Sequence, residues 1–435
     1  MIRFIAFALV LLSALPVRAA TDIQVVTSPG GITAWLVQEP SIPMVAFQFS
    51  FRGGASQDAP EKLGATNLMV GLLEEGAGDI NATEFAERSD ELGARFRFNT
   101  GRDSVSITAS MLTSNLAESV ALLRLALVEP TFGEVAFERV RGQVNSGLRS
   151  DETDPQSIGG TAFQAMVFPD HAYGRPTDGT LETVAALTPE DMHIAHQNAL
   201  GRNNVKIGVV GDISPEALGQ LLDTLLGELP VNITDDVADI APMLDAGVTS
   251  IEFETPQSVV IFAQPGLMRD DPDYLAAYVL NHIVGGRSST ARLNVEVREK
   301  RGLTYGISSF LLPYQHAALY MGQFNSGNET VAEAVGIVRD EWANLAASGV
   351  TEDELETAKR YLTGAYALRF DGNAEIAGIL AGLQVVQLPR SYIVDRNDLV
   401  NAVTLAEINR VAARLYQPES LRFVVVGKPI GLVAE

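Results

Sequence analysis

Four stretches alternate apolar and polar side chains with the two-residue period of a half-buried strand: MVAFQFSF from Met44, SVSITASM from Ser104, SVVIFAQP from Ser258 and ALYMGQFN from Ala318. Long segments with helical spacing lie between them. In KLGATNLMVGLLEEGAGD, from Lys62 to Asp79, the side chains of Ala65, Leu68, Met69, Leu72 and Leu73 share one helical face, which predicts a helix laid on the core. The other face carries Asn67, Val70, Gly71 and Glu74. Further along, TPEDMHIAHQNALGRNNVKIGVVGD begins at Thr188 with the marks of a capped helix. Thr188 is placed as N-cap, Pro189 follows at the first helical position, acids fill the first turn, and the segment closes on an apolar strand.

That helix–strand unit is written twice. TLAEINRVAARLYQPESLRFVVVGK, from Thr404 to Lys428, repeats it, with Thr404 and Glu407 at capping-box spacing. Thr188 and Thr404 are 216 positions apart, and so are Gly211 and Gly427. Phe137-Glu138 and Leu355-Glu356, each opening a long helical pattern, are separated by 218. A period of this length implies duplicated domains rather than a solenoid of short repeats. Strands come in adjacent pairs separated by helices, so the expected class is α+β: two homologous layered domains, each an antiparallel-rich sheet packed by helices. The acidic, proline-bounded PVNITDDVADIAPMLDAG, residues 230–247, is expected to link a domain over 21–229 to one over 248–435.

The first residues follow a different rule. MIRFIAFALVLLSALPVRAA opens with Arg3, runs apolar from Phe4 to Leu15, and places Val17 and Ala19 at the −3 and −1 positions of a cleavage site. Residues 1–20 therefore read as a signal peptide, with the periplasm or the exterior as destination. No later run reaches the roughly 18 apolar residues of a membrane span, so none is expected after cleavage. Of the 435 residues, 31 are Lys or Arg and 54 are Asp or Glu, for a formal net charge of −23. A surface this acidic repels phosphate backbones, which argues against nucleic-acid binding. The absence of cysteine removes disulfides, thiolate nucleophiles and thiolate metal sites.

Asn67, Val70 and Gly71 lie at i, i+3 and i+4, a spacing that would project metal ligands together from one helical face. Here it offers an amide, an isopropyl group and a glycine. The surrounding pattern, FSFRGGASQD followed by GATNLMVGLLEEGAG and a helix ending in DELGARF, resembles the pitrilysin or inverzincin family of zinc metallopeptidases, which includes insulin-degrading enzyme and the mitochondrial processing peptidases. Family members carry GxxHxxEHxxxxGT at this place, so the resemblance aligns Asn67, Val70 and Gly71 with the His, Glu and His. The family's downstream zinc-binding Glu falls on or next to Gly147, in FERVRGQVNSGLRSDETDP. The resemblance thus implies a degenerate zinc and base site with no metal in this chain.

The second half departs less. NHIVGGRSSTARLNVEVREKRGLTYGISS, from Asn281 to Ser309, resembles the family's C-terminal signature, a Gly-Gly turn, a Ser-Ser helix start and REKRGLxY. The family's Arg and Tyr, seven apart, match Arg298 and Tyr305. In active members they reach the zinc site of the opposite domain, the Tyr holding the oxyanion and the Arg positioning the substrate. A phenol and a guanidinium, both donors, suit such a role. The resemblance implies a clam-like half of a peptidase chamber and a catalytically incomplete subunit. Its Arg298 and Tyr305 would act in the site of a homologous HxxEH partner that binds the zinc, the two forming a heterodimer that cleaves peptides. The alternative is a non-catalytic peptide-binding or scaffold protein of the same fold. Other signals are weaker: His193 and His196 at i, i+3 read as packed histidines, Glu74 and Glu75 as a solvated helix end, and Gly285-Gly286 as a turn. His171, His282 and His316 are scattered.

Overall fold

The computed structural model describes residues 22–232 and 236–433. The segment read as a signal peptide, and three residues of the expected linker, lie outside them. The first half runs β1 (Gln24–Thr27), β2 (Thr33–Gln38), β3 (Met44–Arg52), α1 (Ala65–Val70), a short hairpin of β4 (Gly76–Ala77) and β5 (Ile80–Asn81), α2 (Ala82–Leu92), β6 (Arg95–Thr100), β7 (Ser104–Leu112), α3 (Leu116–Val128), α4 (Glu134–Asp151), α5 (Pro155–Val167), α6 (Leu181–Ala185), α7 (Pro189–Ala199), β8 (Val205–Gly211) and α8 (Pro215–Leu226). The second half follows with β9 (Gly247–Glu252), β10 (Gln257–Pro265), α9 (Tyr274–Gly285), β11 (Ile307–Pro313), β12 (Ala318–Gly327), α10 (Val331–Ser348), α11 (Glu352–Gly364), α12 (Asn373–Val385), α13 (Tyr392–Ala402), α14 (Leu405–Leu415) and β13 (Arg422–Gly427).

Each half builds one sheet, and the two sheets share an order. The first is β1-β2-β8-β3-β7-β6 and the second, read from its other edge, β9-β13-β10-β12-β11. In both, one parallel pair (β2 with β8, β9 with β13) adjoins a run of antiparallel neighbours. This is the α+β class expected from the alternation of strands. The last residues of β8 and β13, Gly211 and Gly427, have φ of +149° and +153°. A Cβ at Gly211 would collide with the Met44 carbonyl, and one at Gly427 with Ser258, so both sheets need glycine at the same turn. The helices before these strands are capped as their sequences indicate. Thr188 with Asp191 and Thr404 with Glu407 each form a reciprocal capping box.

Both sheets are covered on two faces, and the second cover is exchanged between halves. One face of the first sheet packs Phe47, Phe49, Phe51, Ile107 and Val209 against α1, α3, α7 and α8. Its other face, with Ala46 and Val210, receives Ala377, Leu380 and Leu383 of α12 from the second half. Reciprocally, one face of the second sheet packs on α9, α10 and α14 around Trp342, whose indole N–H donates to Gln264 Oε1 at 2.7 Å. The opposite face, with Ile261 and Val424, is covered by Phe163 and Val167 of α5. Neither sheet buries both faces with its own helices. No helix among the described residues is long and apolar enough to cross a membrane.

Candidate functional site

The segment that would carry a zinc helix is held firmly at its start. Burial and three donors fix Asp58 beside α1: the N–H groups of Gly64 and Thr66 donate to its carboxyl at 3.0 and 3.2 Å, and the Thr66 hydroxyl at 2.6 Å. Ala65, Leu68, Met69, Leu72 and Leu73 are buried, as their spacing indicates. The helix is shorter than the pattern predicts, because α1 stops at Val70 and the chain continues in tight turns, Leu72 N–H to Met69 O and Leu73 N–H to Val70 O. The apolar pattern runs on past the helix because both leucines still point into the core. Val70, read with Asn67 on the outward face, is only 4% exposed and belongs to that core. Asn67 is half-buried and Gly71 exposed.

Across from α1 runs α4, where Val140 approaches Gly71 so that a Cβ there would lie 3.1 Å from Val140 Cγ1. Gly147, two turns further along α4, is exposed, with nothing within 4 Å of where a Cβ would stand. A Zn²⁺ site needs at least three His, Cys or carboxylate donors converging on one point. Asn67, Val70, Gly71 and Gly147 supply one carboxamide, so these residues do not fit the ion. Glu75, nearby, is engaged by Arg139. Among the described residues no group of three or more His, Cys, Asp or Glu is placed to hold a metal. His196 is buried with Nε2 against the Leu127 carbonyl at 2.8 Å, its pKa pushed down by burial, and His193 meets the Phe132 ring edge-on. That pair is used in packing.

The second segment presents its chemistry outward. After α9 the chain turns through Gly285 and Gly286 into a π-helical turn, Asn294–Glu299. Buried Asn294 pins this turn, its amide donating to the Ser288 carbonyl at 3.0 Å. Lys300 and Arg301 both pair with Glu296, at 2.5 and 2.8 Å. Arg298 differs: its guanidinium is exposed and has no ion-pair or hydrogen-bond partner among the described residues. Leu303 and Thr304 are anchored inward, with the Thr304 hydroxyl donating to the Gly306 carbonyl at 3.0 Å, and Tyr305 between them and β11 stands 88% exposed. Arg298 and Tyr305 line one cleft of about 450 Å³ together with Arg287 and Asn325. Gln156, from the start of α5 in the first half, also lines it and donates to Gln323 at 3.0 Å. The cleft thus offers a phenol and two guanidinium groups to carbonyl oxygens or negative charge.

A third constellation was invisible in the sequence. Tyr173 is fully buried at the seam, accepting from the His316 N–H at 3.1 Å, while Arg102 stacks over its ring and that of Tyr314. Burial, and the Asp103 carboxylate beside it, raise the Tyr173 phenol far above its usual pKa. His316 Nδ1 meets Asp239 at 2.9 Å and His171 Nε2 the Ala238 carbonyl at 2.8 Å, so two histidines that look scattered in the chain clasp the segment joining the halves. Their separation of 145 positions left no local spacing to read. His282, the last of the scattered histidines, stacks on Tyr361.

The two like-ordered sheets and the outward Arg298–Tyr305 pair stand beside what the comparisons find. Residues 34–181 match the Insulinase (Peptidase family M16) domain and residues 186–362 the Peptidase M16 inactive domain, so the chain belongs to the M16 peptidase family. Among relatives, it is 26% identical over 394 residues to an uncharacterized zinc protease of Streptomyces coelicolor, covering 89% of this chain and 85% of that one. It is 22% identical over 388 residues to the non-peptidase homolog YmxG of Helicobacter pylori, covering 88% and 89%. The crystal structure of a peptidase M16 inactive domain from Pseudomonas fluorescens superposes with a TM-score of 0.89 at 26% identity, covering 95% of this chain and 99% of that one.

Proposed function

We propose that this chain is a catalytically incomplete subunit of a zinc metallopeptidase, exported to the periplasm, that lends Arg298 and Tyr305 to the active site of a homologous HxxEH-bearing partner. The observation that carries this reading is the contrast within one motif. Lys300 and Arg301 are spent on Glu296, whereas Arg298 and Tyr305 stand outward, unpaired, on one cleft. Exposing a large phenol and an unpaired guanidinium side by side adds nothing to folding, and both suit the developing charge of a peptide carbonyl under attack. With Asn67, Val70, Gly71 and Gly147 at the family's ligand and base positions, no residue there activates water. In the pair, the partner would supply the zinc and this chain the donors. The name of the Helicobacter pylori relative, a non-peptidase homolog, is in keeping with this reading.

The test is to purify the tagged chain from its native host, identify the chains that accompany it and assay peptide cleavage with and without a chelator. Chelator-sensitive activity should arrive with an HxxEH homologue and be absent from this chain alone. In the complex, Tyr305→Phe should lower kcat by about 10- to 100-fold, and Arg298→Ala should raise KM. A complex carrying both substitutions with full activity overturns the proposal. A lone, inert chain would instead favour the scaffold reading.

A further inference from the structure

A second pocket, of about 600 Å³, lies in the corner of the second half where α9, α12 and α13 meet the turn Tyr366–Phe370. Its floor is apolar, formed by Leu275, Ile379, Leu383 and Leu388. Gly378 and Gly382 also line it, one turn apart on α12, and a Cβ at either would stand in open space. Glycine weakens a helix relative to alanine, and no packing against a neighbour requires it at these two positions. The missing side chains are what open the pocket.

Its walls combine four tyrosines with three arginines. Arg269 stacks over Tyr274 at 4.4 Å and Tyr392 at 5.5 Å and donates to the Tyr392 hydroxyl at 3.1 Å. Arg396, only 4% exposed, stacks over Tyr366 and Tyr278 at 4.6 and 5.6 Å, and both its terminal nitrogens are engaged, one donating to the Leu362 carbonyl and the Asn397 amide oxygen and the other to the Tyr278 hydroxyl at 3.4 Å. Arg369 is exposed at the rim. None of the three forms an ion pair with a carboxylate among the described residues, and Glu375 is the one acid lining the pocket. In a chain of net charge −23, three arginines gathered without acid partners run against the background. Stacking on tyrosine faces fixes the Arg269 guanidinium plane and leaves its second terminal nitrogen free, and Arg369 has no partner among the described residues, so these two present N–H edges to a coplanar anion.

We propose that this pocket binds a carboxylate carried on an aromatic or branched apolar body. Arg269 and Arg369 grip the carboxylate, Arg396 holds the tyrosine walls in place, and the tyrosines and leucines enclose the body. The site stands apart from the Arg298–Tyr305 cleft and requires no partner subunit. Two sources carry this chemistry, a free organic acid and the C-terminal carboxylate of a peptide.

Titration calorimetry on the full mature chain tests it, with 2-naphthoate, its neutral counterpart 2-naphthylmethanol, and a pentapeptide ending in phenylalanine as free acid and as amide. Naphthoate is expected to saturate one site and to bind at least about tenfold more tightly than the alcohol. Arg369→Gln, at an exposed position that leaves folding intact, should weaken it about tenfold, and Gly382→Leu, which fills the pocket from the helix, should abolish it. Preference for the free-acid peptide over its amide identifies a peptide C-terminus as the source; binding of naphthoate alone identifies a free acid. Absence of saturable binding by either acid, equal binding of the alcohol, or an unchanged affinity in Arg369→Gln overturns the proposal.

Discussion

Asp58 sits where water scarcely reaches it, and its carboxyl holds the start of α1 through Gly64 and Thr66. Burial wins over those donors and pushes its pKa up to about 6. The sign of the consequence is fixed by linkage. Between about pH 4 and pH 6 the unfolded chain has released this proton while the folded chain keeps it, so stability falls as pH rises through that window and levels off above it. Asn at this position cannot titrate. The stability advantage of the native protein over Asp58→Asn, measured by urea denaturation, should therefore be larger at pH 4.5 than at pH 7, by on the order of 2 kcal/mol. An equal or reversed difference would show that the carboxyl is ionised throughout.

The exchanged helix α12 is seated by contacts that no periodicity announces. Alternation in MVAFQFSF and SVSITASM locates strands because side chains two apart share a face, and β3 and β7 fall where that pattern puts them. What covers the second face of a sheet is not in the strand's own sequence. Gly208 in β8 shows the difference: a Cβ there would collide with the Ala377 carbonyl of α12, and Gln384 of the same helix donates to the Ile207 carbonyl at 2.8 Å. Valine suits a strand, so Gly208→Val would be neutral or favourable in an uncovered sheet. Here it must push α12 off, and we expect a loss of about 2–3 kcal/mol in urea denaturation. A Gly208→Val protein as stable as the native one would mean that α12 does not rest against β8. The same blindness applies to α1. The apolar spacing of Leu72 and Leu73 continues beyond the last helical turn, so sequence extends the helix where the chain in fact turns.

Local motifs carried the Arg–Tyr cleft, since Arg298 and Tyr305 lie seven residues apart and their neighbours Asn294 and Thr304 hold them there. The tyrosine–arginine pocket and the His171–His316 clasp were illegible for the opposite reason, each drawing residues from segments a hundred or more positions apart that only the closed fold brings together. That closure is reciprocal, and reciprocity has a consequence for folding. A chain ending at Glu228 would leave Ala46, Val210 and Trp35 bare where α12 should lie, and a chain beginning at Gly247 would leave Ile261, Ala263 and Val424 bare where α5 should lie. Apolar faces of that extent do not remain in water as monomers. Each half expressed alone is therefore expected to aggregate or to lack fixed tertiary structure, while the two co-expressed should assemble into a soluble complex with a single cooperative unfolding transition. The measurement is solubility and near-ultraviolet circular dichroism of each half against the co-expressed pair. A first half that folds alone, with a cooperative transition of its own, would show that its sheet closes without α12 and that the exchanged helices join two finished domains rather than complete them.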